Sequence, residues 1–385
     1  MKEPIPFSRP DVTGDEIREV VAVLESGWIT TGPKTHHFEE EFARAVGARF
    51  ALALNSCTAA LHLALEALGV GPGDEVILPT LTFAASGEVV RYLGAIPVLV
   101  DADPLDHNID PAAVEKALTP RTKVVMAVDF GGQACRLDQL LTLTRSPGIH
   151  LVEDAAHAFP ASLEGRAIGS ISDITCFSFY ATKPLTTGEG GMATTDNERW
   201  AERMRVMSLH GISKDAWKRY AFEGSWHYEI VAPGYKYNMT DIAAAMGLVQ
   251  LRRAGEMLAR RREIARRYRE ALADDGAFEL LSCRSPDEHA WHLFVIKLRD
   301  EALTIQRDRF VTELKAAGIG TSVHFIPLHL HPYYRQTFGY RAEDFPVATE
   351  LSQRSLSLPI YSRMTDAEVT RVIEEVRKVA RRFRR

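Results

Sequence analysis

The sequence contains few cysteines, and none of its apolar runs is long enough to span a bilayer. The four cysteines, Cys57, Cys135, Cys176 and Cys283, are scattered and form no C-x-x-C pair. This spacing argues against a disulfide framework and against a zinc site, so we expect reduced thiols. Because residues 1–6 also lack the apolar core of a signal peptide, we expect a cytoplasmic protein.

The sequence also lacks a strong excess of charge of either sign and any low-complexity segment. Its formal net charge is -5 over 385 residues, which gives no sign of electrostatic binding to nucleic acid. Hydrophobic residues make up 46% and charged residues 25%, which excludes the disordered and fibrous classes. A chain of this length favours one large α/β domain with a smaller second domain.

Between about residues 48 and 200, short strand-like runs alternate with helix-like runs. The predicted strands are Ala48–Leu54, Glu75–Leu78, Ile96–Val100, Lys123–Val128, His150–Val152 and Ile174–Tyr180. The clearest predicted helices in this part are Thr58–Leu68 and Thr82–Leu93. Such alternation predicts an α/β fold with a mainly parallel sheet covered by helices on both faces.

The composition changes near residue 250, where a long arginine-rich helix is predicted. The elements predicted after this point are helices Leu251–Leu272, Arg307–Ala317 and Asp366–Arg382 and strands Trp291–Leu298 and Thr321–Phe325. We therefore predict a large N-terminal domain over residues 1–250 and a smaller α+β domain over residues 251–385.

Two candidate site segments follow predicted strands, at the edge of the sheet where open α/β folds bind ligands. In the first, Asn55–Ala60, the start of a helix offers free N–H groups that suit a phosphate, although Ser56 or Thr58 could be a simple N-cap. In the second, Asp154 follows an apolar strand. Its carboxylate could bind a ribose, a metal or a protonated pyridine nitrogen, or it could cap the next helix.

The third candidate segment contains Lys183, which lies between an apolar strand and the glycine-rich turn Gly188–Gly191. Partial burial of a lysine lowers its pKa and frees the amine to form a Schiff base, whereas an exposed loop lysine would have no such role. A phosphate cradle, an acid for a ring nitrogen and a lysine nucleophile are together the parts that a pyridoxal 5'-phosphate (PLP) site requires.

Motifs along nearly the whole chain resemble the DegT/DnrJ/EryC1/StrS family of sugar aminotransferases, which is similar in fold to aspartate aminotransferase. The matching segments are Ser26–Pro33, Thr58–His62, Gly71–Val76, Glu153–His157, Phe177–Lys183, Gly188–Met192, Gly234–Asp241 and Ser357–Pro359. The resemblance implies PLP as cofactor and the type I fold of PLP enzymes, with a mainly parallel seven-stranded sheet.

The resemblance also implies a role for each residue that matches a family position. Lys183 would bind PLP as a Schiff base, Asp154 would hold the pyridinium N–H, and His157 would lie near the ring face or its phenolic oxygen. Phe83 would stack on the ring. The implied phosphate ligands are Thr58, the backbone N–H of Ala59, Ser178, and Asn238 or Lys236 from a second subunit of a homodimer.

Several positions differ from the family pattern or are less specific. Cys57 occupies a position where the family often has glycine or alanine, and the Lys236/Asn238 pair replaces an Asn/Arg pair. His329 and Trp28 are the candidate substrate contacts. Although His324, His329 and His331 resemble a metal cluster by count, we expect no metal because no carboxylate motif accompanies them. We expect residues 216–230 to form a variable substrate loop.

The resemblance implies a transaminase that moves an amino group from L-glutamate to a nucleotide-linked keto-sugar, with a UDP-linked 4-keto sugar favoured. The product would serve surface-polysaccharide, lipid A or natural-product sugar biosynthesis. A sugar dehydratase of the same family would carry histidine in place of Lys183, and a regulatory protein on this fold would not need both Asp154 and Lys183. A nicotinamide dehydrogenase would need a G-x-G-x-x-G turn, which Asn55–Thr58 does not supply.

Overall fold

A computed structural model of the chain describes residues 3–212 and 228–385. Its strands are β1 (Phe50–Leu54), β2 (Glu75–Pro79), β3 (Ile96–Val100), β4 (Thr122–Val128), β5 (His150–Asp154), β6 (Ser162–Leu163), β7 (Arg166–Ala167), β8 (Ile174–Ser178), β9 (Gly191–Thr195), β10 (Phe278–Leu280), β11 (Phe294–Leu298) and β12 (Ser355–Leu358). Its α-helices are α1 (Gly14–Ser26), α2 (Pro33–Val46), α3 (Cys57–Ala67), α4 (Ala84–Tyr92), α5 (Pro111–Ala117), α6 (Leu137–Leu143), α7 (Glu198–Met207), α8 (Asp241–Leu272), α9 (Arg307–Ala316), α10 (Pro332–Phe338), α11 (Pro346–Arg354) and α12 (Asp366–Arg382).

The main sheet has seven strands in the order β1-β9-β8-β5-β4-β2-β3. Strand β9 runs antiparallel to both of its neighbours, and the other pairings are parallel. Apolar side chains of one strand point alternately into two cores, since Leu52 and Leu54 face one and Ala51 and Ala53 the other. The predicted mainly parallel seven-stranded sheet with both faces covered is therefore confirmed.

A smaller antiparallel sheet of β10, β11 and β12 packs with α9, α12 and the second half of α8 around a separate core. The helix predicted from Leu251 begins ten residues earlier, at Asp241, where Thr240 caps it by accepting the Ala243 N–H at 3.3 Å. Because α8 runs continuously across residue 250 and also packs on α1 and α2, the division into residues 1–250 and 251–385 stays a prediction.

One predicted strand is wrong. Residues 321–325 form only an isolated bridge, between Ser322 and Ser357, and then leave the small sheet. His324 and Phe325 instead face the carboxyl edge of the main sheet, where β1, β5 and β8 end. Two side chains from the C-terminal part of the chain therefore reach the edge at which the candidate residues lie. Among the described residues, no helix is long and apolar enough to cross a membrane.

Candidate active site

A cavity of about 480 Å³ opens at the carboxyl ends of β1, β5 and β8. Segment 324–325 closes part of it. Six of the residues proposed from the sequence line this single cavity: Thr58, Phe83, Asp154, His157, Ser178 and Lys183. Residues up to 125 positions apart in the sequence are therefore collected at one edge of the sheet.

The polar end of the cavity is formed by the start of α3 and the end of β8. Ser56 caps α3, and its hydroxyl accepts the Ala59 N–H at 3.1 Å. The Ala59 N–H, proposed from the sequence as a phosphate donor, is thus used in the cap of its own helix. Thr58 and Ser178 supply hydroxyls on the cavity wall, and the first turn of a helix carries N–H groups without helical partners.

At Gly191, the last residue of the Gly188–Gly191 turn, there is no room for a side chain. A Cβ atom on Gly191 would lie 2.4 Å from the carbonyl carbon of Ser56 and 2.6 Å from the nitrogen of Cys57. Only glycine therefore lets β9 pass directly beside the turn that leads from β1 into α3. Any larger residue would displace that turn, whose Ser56 and Cys57 line the cavity.

Asp154 ends β5 as a buried carboxylate with both oxygens bonded. Its Oδ2 accepts the Ser86 hydroxyl at 2.8 Å, and its Oδ1 accepts the Ala156 N–H at 3.2 Å. Burial raises the pKa of Asp154, while these two hydrogen bonds and the positive charge of Lys183 lower it. The carboxylate is held in one orientation at the cavity wall.

Lys183 follows β8 in a short turn, in which its backbone N–H donates to the Tyr180 carbonyl at 2.9 Å. Burial lowers the pKa of the Lys183 amine from 10.5 to about 8, and the nearby Cys57 and Asp154 oppose this effect. At pH 7 roughly a tenth of this lysine is then neutral, several hundred times the fraction expected at its ordinary pKa. A neutral amine is the form that attacks an aldehyde.

Three neutral histidines, His157, His292 and His324, line the cavity. His157 accepts the Gly131 N–H at 3.3 Å through Nδ1, and its ring centroid lies 4.5 Å from that of His292. His324 bonds to Ser357 at 2.8 Å. Burial and the charge of Lys183 lower the pKa of all three imidazoles, that of His324 to about 4.

His292 was missed by the sequence analysis, which assigned it only to a strand. Its ring is 5% exposed, it lines the cavity, and its Nδ1 has no hydrogen-bond partner among the described residues. The sequence did contain a signal for a site residue, because a polar residue stands between Trp291 and Leu293 in an otherwise apolar run. A polar side chain buried in such a run needs a partner.

Phe83 immediately precedes α4 and is 62% exposed. Its ring lies at the cavity wall, with its centroid 6.0 Å from that of Phe325. An exposed aromatic ring beside a polar cavity offers an apolar face to a flat ligand. Phe83 is therefore not a core residue.

The two candidate substrate contacts do not line the cavity. Both ring nitrogens of His329 are bonded, to the hydroxyls of Thr80 at 2.7 Å and Thr349 at 2.9 Å, and the residue is fully buried. Trp28 donates its indole N–H to the Thr31 carbonyl at 3.0 Å in the turn before α2. These bonds give both residues a structural role within the described chain, and their assignment to substrate stays a prediction.

Lys236 and Asn238 also lie away from the cavity of their own chain. The Lys236 ammonium donates to Asn238 Oδ1 at 2.6 Å, and Asn238 Nδ2 donates to Thr31 at 2.6 Å. The pair flanks Tyr237, whose carbonyl accepts the Asn55 N–H at 2.7 Å. Of the predicted substrate loop at 216–230, residues 216–227 lie outside the described part of the chain.

A pair of buried carboxyl groups lies on the face of β5 opposite Asp154. Asp129 and Glu153 are fully buried, and one oxygen of each has no donor among the described residues unless one carboxyl is protonated. Burial and the charge of Glu153 raise the pKa of Asp129 well above its usual range. Asp129 therefore keeps its proton and donates it to Glu153, while its Oδ1 accepts the Cys135 N–H at 2.8 Å.

Comparison with known proteins places this site in a family. Residues 10–377 match the DegT/DnrJ/EryC1/StrS aminotransferase family. The chain is 50% identical to the spore coat polysaccharide biosynthesis protein SpsC of Bacillus subtilis, over 98% of this chain and 97% of that protein.

Solved structures agree with this match. The putative sugar aminotransferase Spr1654 from Streptococcus pneumoniae superposes with a TM-score of 0.92 in its PMP-form and 0.91 in its PLP-form. The identities are 38% and 37%, and both alignments cover 98% of this chain and 99% of that chain. Helicobacter pylori PseC, an aminotransferase involved in pseudoaminic acid biosynthesis, has a TM-score of 0.92 at 26% identity, over 99% of this chain and 100% of that chain.

The sequence match and the structural matches each span nearly the whole chain and include both sheets and the cavity between them. The chain therefore belongs to the DegT/DnrJ/EryC1/StrS aminotransferase family, and it is a PLP-dependent aminotransferase.

Proposed function

We propose that this enzyme transfers the amino group of L-glutamate to a nucleotide-linked keto-sugar, with UDP-linked 4-keto sugars as the favoured acceptors. The relatives support a sugar acceptor, because SpsC is named for spore coat polysaccharide biosynthesis and PseC for pseudoaminic acid biosynthesis. The product would be an amino sugar for a surface polysaccharide or a similar glycan.

The residues of the cavity fit PLP. Thr58 and Ser178 offer hydroxyls to the phosphate, and Phe83 offers an exposed ring face to the pyridine. Asp154 offers a buried carboxylate to the ring N–H, and Lys183 offers an amine of lowered pKa to the aldehyde. These groups match the four parts of the cofactor in charge and in hydrogen-bonding capacity.

When bound, PLP supplies an electron-withdrawing ring that stabilises negative charge on the carbon that loses a proton. Asp154 accepts a charge-assisted hydrogen bond from the ring nitrogen and so keeps that nitrogen protonated. Because Asp154 is buried and bonded at both oxygens, it needs no rearrangement to do so. His157 lies beside it as a neutral group near the ring.

Lys183 would have two tasks. Its neutral amine would anchor the cofactor, and once displaced by a substrate amine, it would move a proton between the substrate carbon and C4′ of the cofactor. A pKa of about 8 suits both directions of this transfer near neutral pH, because the amine gains and loses a proton at similar cost.

The observation that best supports a sugar acceptor is the charge of the cavity. No arginine among the described residues lines it, and its three histidines are neutral. An enzyme for dicarboxylic acceptors would bind the second carboxylate with a bidentate arginine. Neutral imidazoles suit the hydroxyl groups of a sugar, because each can donate or accept a hydrogen bond.

We also propose a homodimer with shared active sites. Large apolar side chains at and near the cavity mouth are exposed, among them Phe83, Tyr180 and Ile326. Contiguous exposed apolar surface is typical of an interface. In such a dimer Lys236 or Asn238 would reach the phosphate bound in the neighbouring subunit.

The acceptor is tested with the amino form of the enzyme, prepared with excess glutamate and freed of small molecules. Mixing it in a stopped-flow instrument with UDP- and dTDP-linked 4-keto sugars should restore the absorbance of the PLP form rapidly. Pyruvate and oxaloacetate should restore it slowly, because the cavity has no arginine for their carboxylates.

The control is the same protein mixed with 2-oxoglutarate, which should react because it reverses the donor half-reaction, but only at high concentration, since no arginine among the described residues of the cavity binds its carboxylates. If pyruvate or oxaloacetate reacted faster than every sugar nucleotide, the sugar acceptor would be excluded and only the aminotransferase activity would stand. If excess glutamate failed to convert the PLP form to the amino form, glutamate would be excluded as the donor.

A further inference from the structure

A chain of buried hydroxyl groups leads from the first turn of α4 to Asp154. The hydroxyls of Thr82 and Ser86 lie 2.7 Å apart, and the Ser86 hydroxyl lies 2.8 Å from Asp154 Oδ2. Thr82 is 1% exposed and Ser86 is fully buried, so water does not compete for these bonds.

The chemistry of the three groups sets the direction of this chain. An ionised carboxylate only accepts hydrogen bonds, so the single hydroxyl proton of Ser86 points to Asp154. The Ser86 oxygen then accepts a hydrogen bond from the Thr82 hydroxyl. Each bond polarises the next, which makes Ser86 a stronger donor than an isolated serine.

The second oxygen of Asp154 is bonded separately. Its Oδ1 accepts the Ala156 N–H at 3.2 Å, so the carboxylate cannot rotate without breaking a bond at each oxygen. Burial favours the protonated form of Asp154, and the Ser86 hydrogen bond is the strongest influence that opposes it.

We propose that Ser86, supported by Thr82, is a positioning residue that holds Asp154 ionised and oriented toward the ring nitrogen of PLP. This inference rests on the role proposed above for Asp154, and it is independent of the identity of the acceptor. The same short segment carries Phe83, so one turn of chain presents the ring face and fixes the partner of the ring nitrogen.

The test measures cofactor binding by the apoprotein and does not depend on activity. PLP and its 1-deaza analogue, in which C–H replaces the ring nitrogen, are titrated and followed by quenching of tryptophan fluorescence. The wild-type protein should prefer PLP, because only PLP bonds to Asp154. Ser86→Ala should reduce this preference about tenfold, since a hydrogen bond to a charged group contributes about 1.5 kcal/mol or more.

Affinity for the deaza analogue should change little in Ser86→Ala, because that ligand makes no bond to Asp154. Thr82→Val, which removes the hydroxyl but keeps the shape, should reduce the preference for PLP by roughly threefold through the second bond. Ser352→Ala removes a buried hydroxyl on α11 whose one hydrogen bond among the described residues goes to the Thr349 carbonyl, and it should leave the preference unchanged.

Two results would overturn the inference. If Ser86→Ala lost affinity for PLP and the deaza analogue equally, Ser86 would support the fold and not the carboxylate. If Asp154→Asn abolished the preference for PLP while Ser86→Ala retained it, Asp154 would keep its role and would not depend on Ser86.

Discussion

Replacing Lys183 with methionine removes a buried ammonium group without removing the length of the side chain. In the folded apoprotein the pKa of Lys183 is about 8, against 10.5 in an exposed chain. Below pH 8 the folded state therefore holds a poorly solvated charge. The difference in pKa corresponds to about 3 kcal/mol of lost stability at pH 7.

The sign of the effect follows from proton binding. Between pH 8 and 10.5 the unfolded chain keeps the lysine proton while the folded chain has released it, so this lysine makes stability rise with pH. Below pH 8 both states are protonated and the full penalty remains. The Lys183→Met apoprotein should therefore be more stable than the wild type by up to about 3 kcal/mol at pH 7, with a gap that closes toward pH 10.5.

Urea unfolding of both apoproteins at pH 7, 8, 9 and 10, followed by circular dichroism, measures this gap. Cys57, whose pKa burial raises well above its ordinary value, is present in both proteins. Lys378→Met is a matched control, because it removes a lysine whose side chain is 70% exposed, and it should show no such gap. Equal unfolding midpoints at pH 7, or a gap that does not shrink with pH, would refute the burial of this charge.

Asp154→Asn should bind PLP more weakly and lose several powers of ten in transamination, as measured by cofactor titration and coupled assay, because the ring nitrogen loses its charged partner. Asp129→Asn should raise the urea midpoint at pH 8 but not at pH 4. Because the pKa of Asp129 is raised in the folded state, the wild-type protein loses stability as the pH rises above the ordinary pKa of a carboxyl group. The asparagine amide does not ionise, and it can donate the same hydrogen bond to Glu153. Mixing Lys183→Ala with an inactive Lys236/Asn238 double variant should restore part of the activity once subunits exchange, because one hybrid site is then intact, and no recovery would argue against a shared site.

The main sheet could be predicted because its strands are short apolar runs, each bounded by turn residues. Ile96–Val100 was predicted with the same limits that β3 has. The start of α8 was missed because its first turns carry small buried residues such as Ala244 and Gly247 in place of the arginine pattern. Segment 321–325 has a strand-like composition, but its last residues, His324 and Phe325, line the cavity and do not pair with the small sheet.

The site was predicted only where a side chain follows a strand in a family motif, as Asp154 and Lys183 do. Ser86 and Thr82 gave no signal, because a serine or threonine at the start of a helix is usually a cap. His292 lies just before β11 of the small sheet, so its place in the cavity depends on how the two sheets pack, and one sequence does not show that. The substrate role predicted for His329 stays a prediction, and nothing in the sequence indicated that the hydroxyls of Thr80 and Thr349 bond to its ring.

The attachment of PLP to Lys183 is the central claim, and one measurement tests it most directly. Borohydride reduction of the PLP-loaded enzyme, followed by proteolysis and mass spectrometry, should find the reduced phosphopyridoxyl group on the peptide that contains Lys183. The Lys183→Ala protein treated in the same way should carry no such label. Label on any other lysine of the wild-type enzyme, with Lys183 unmodified, would contradict the account.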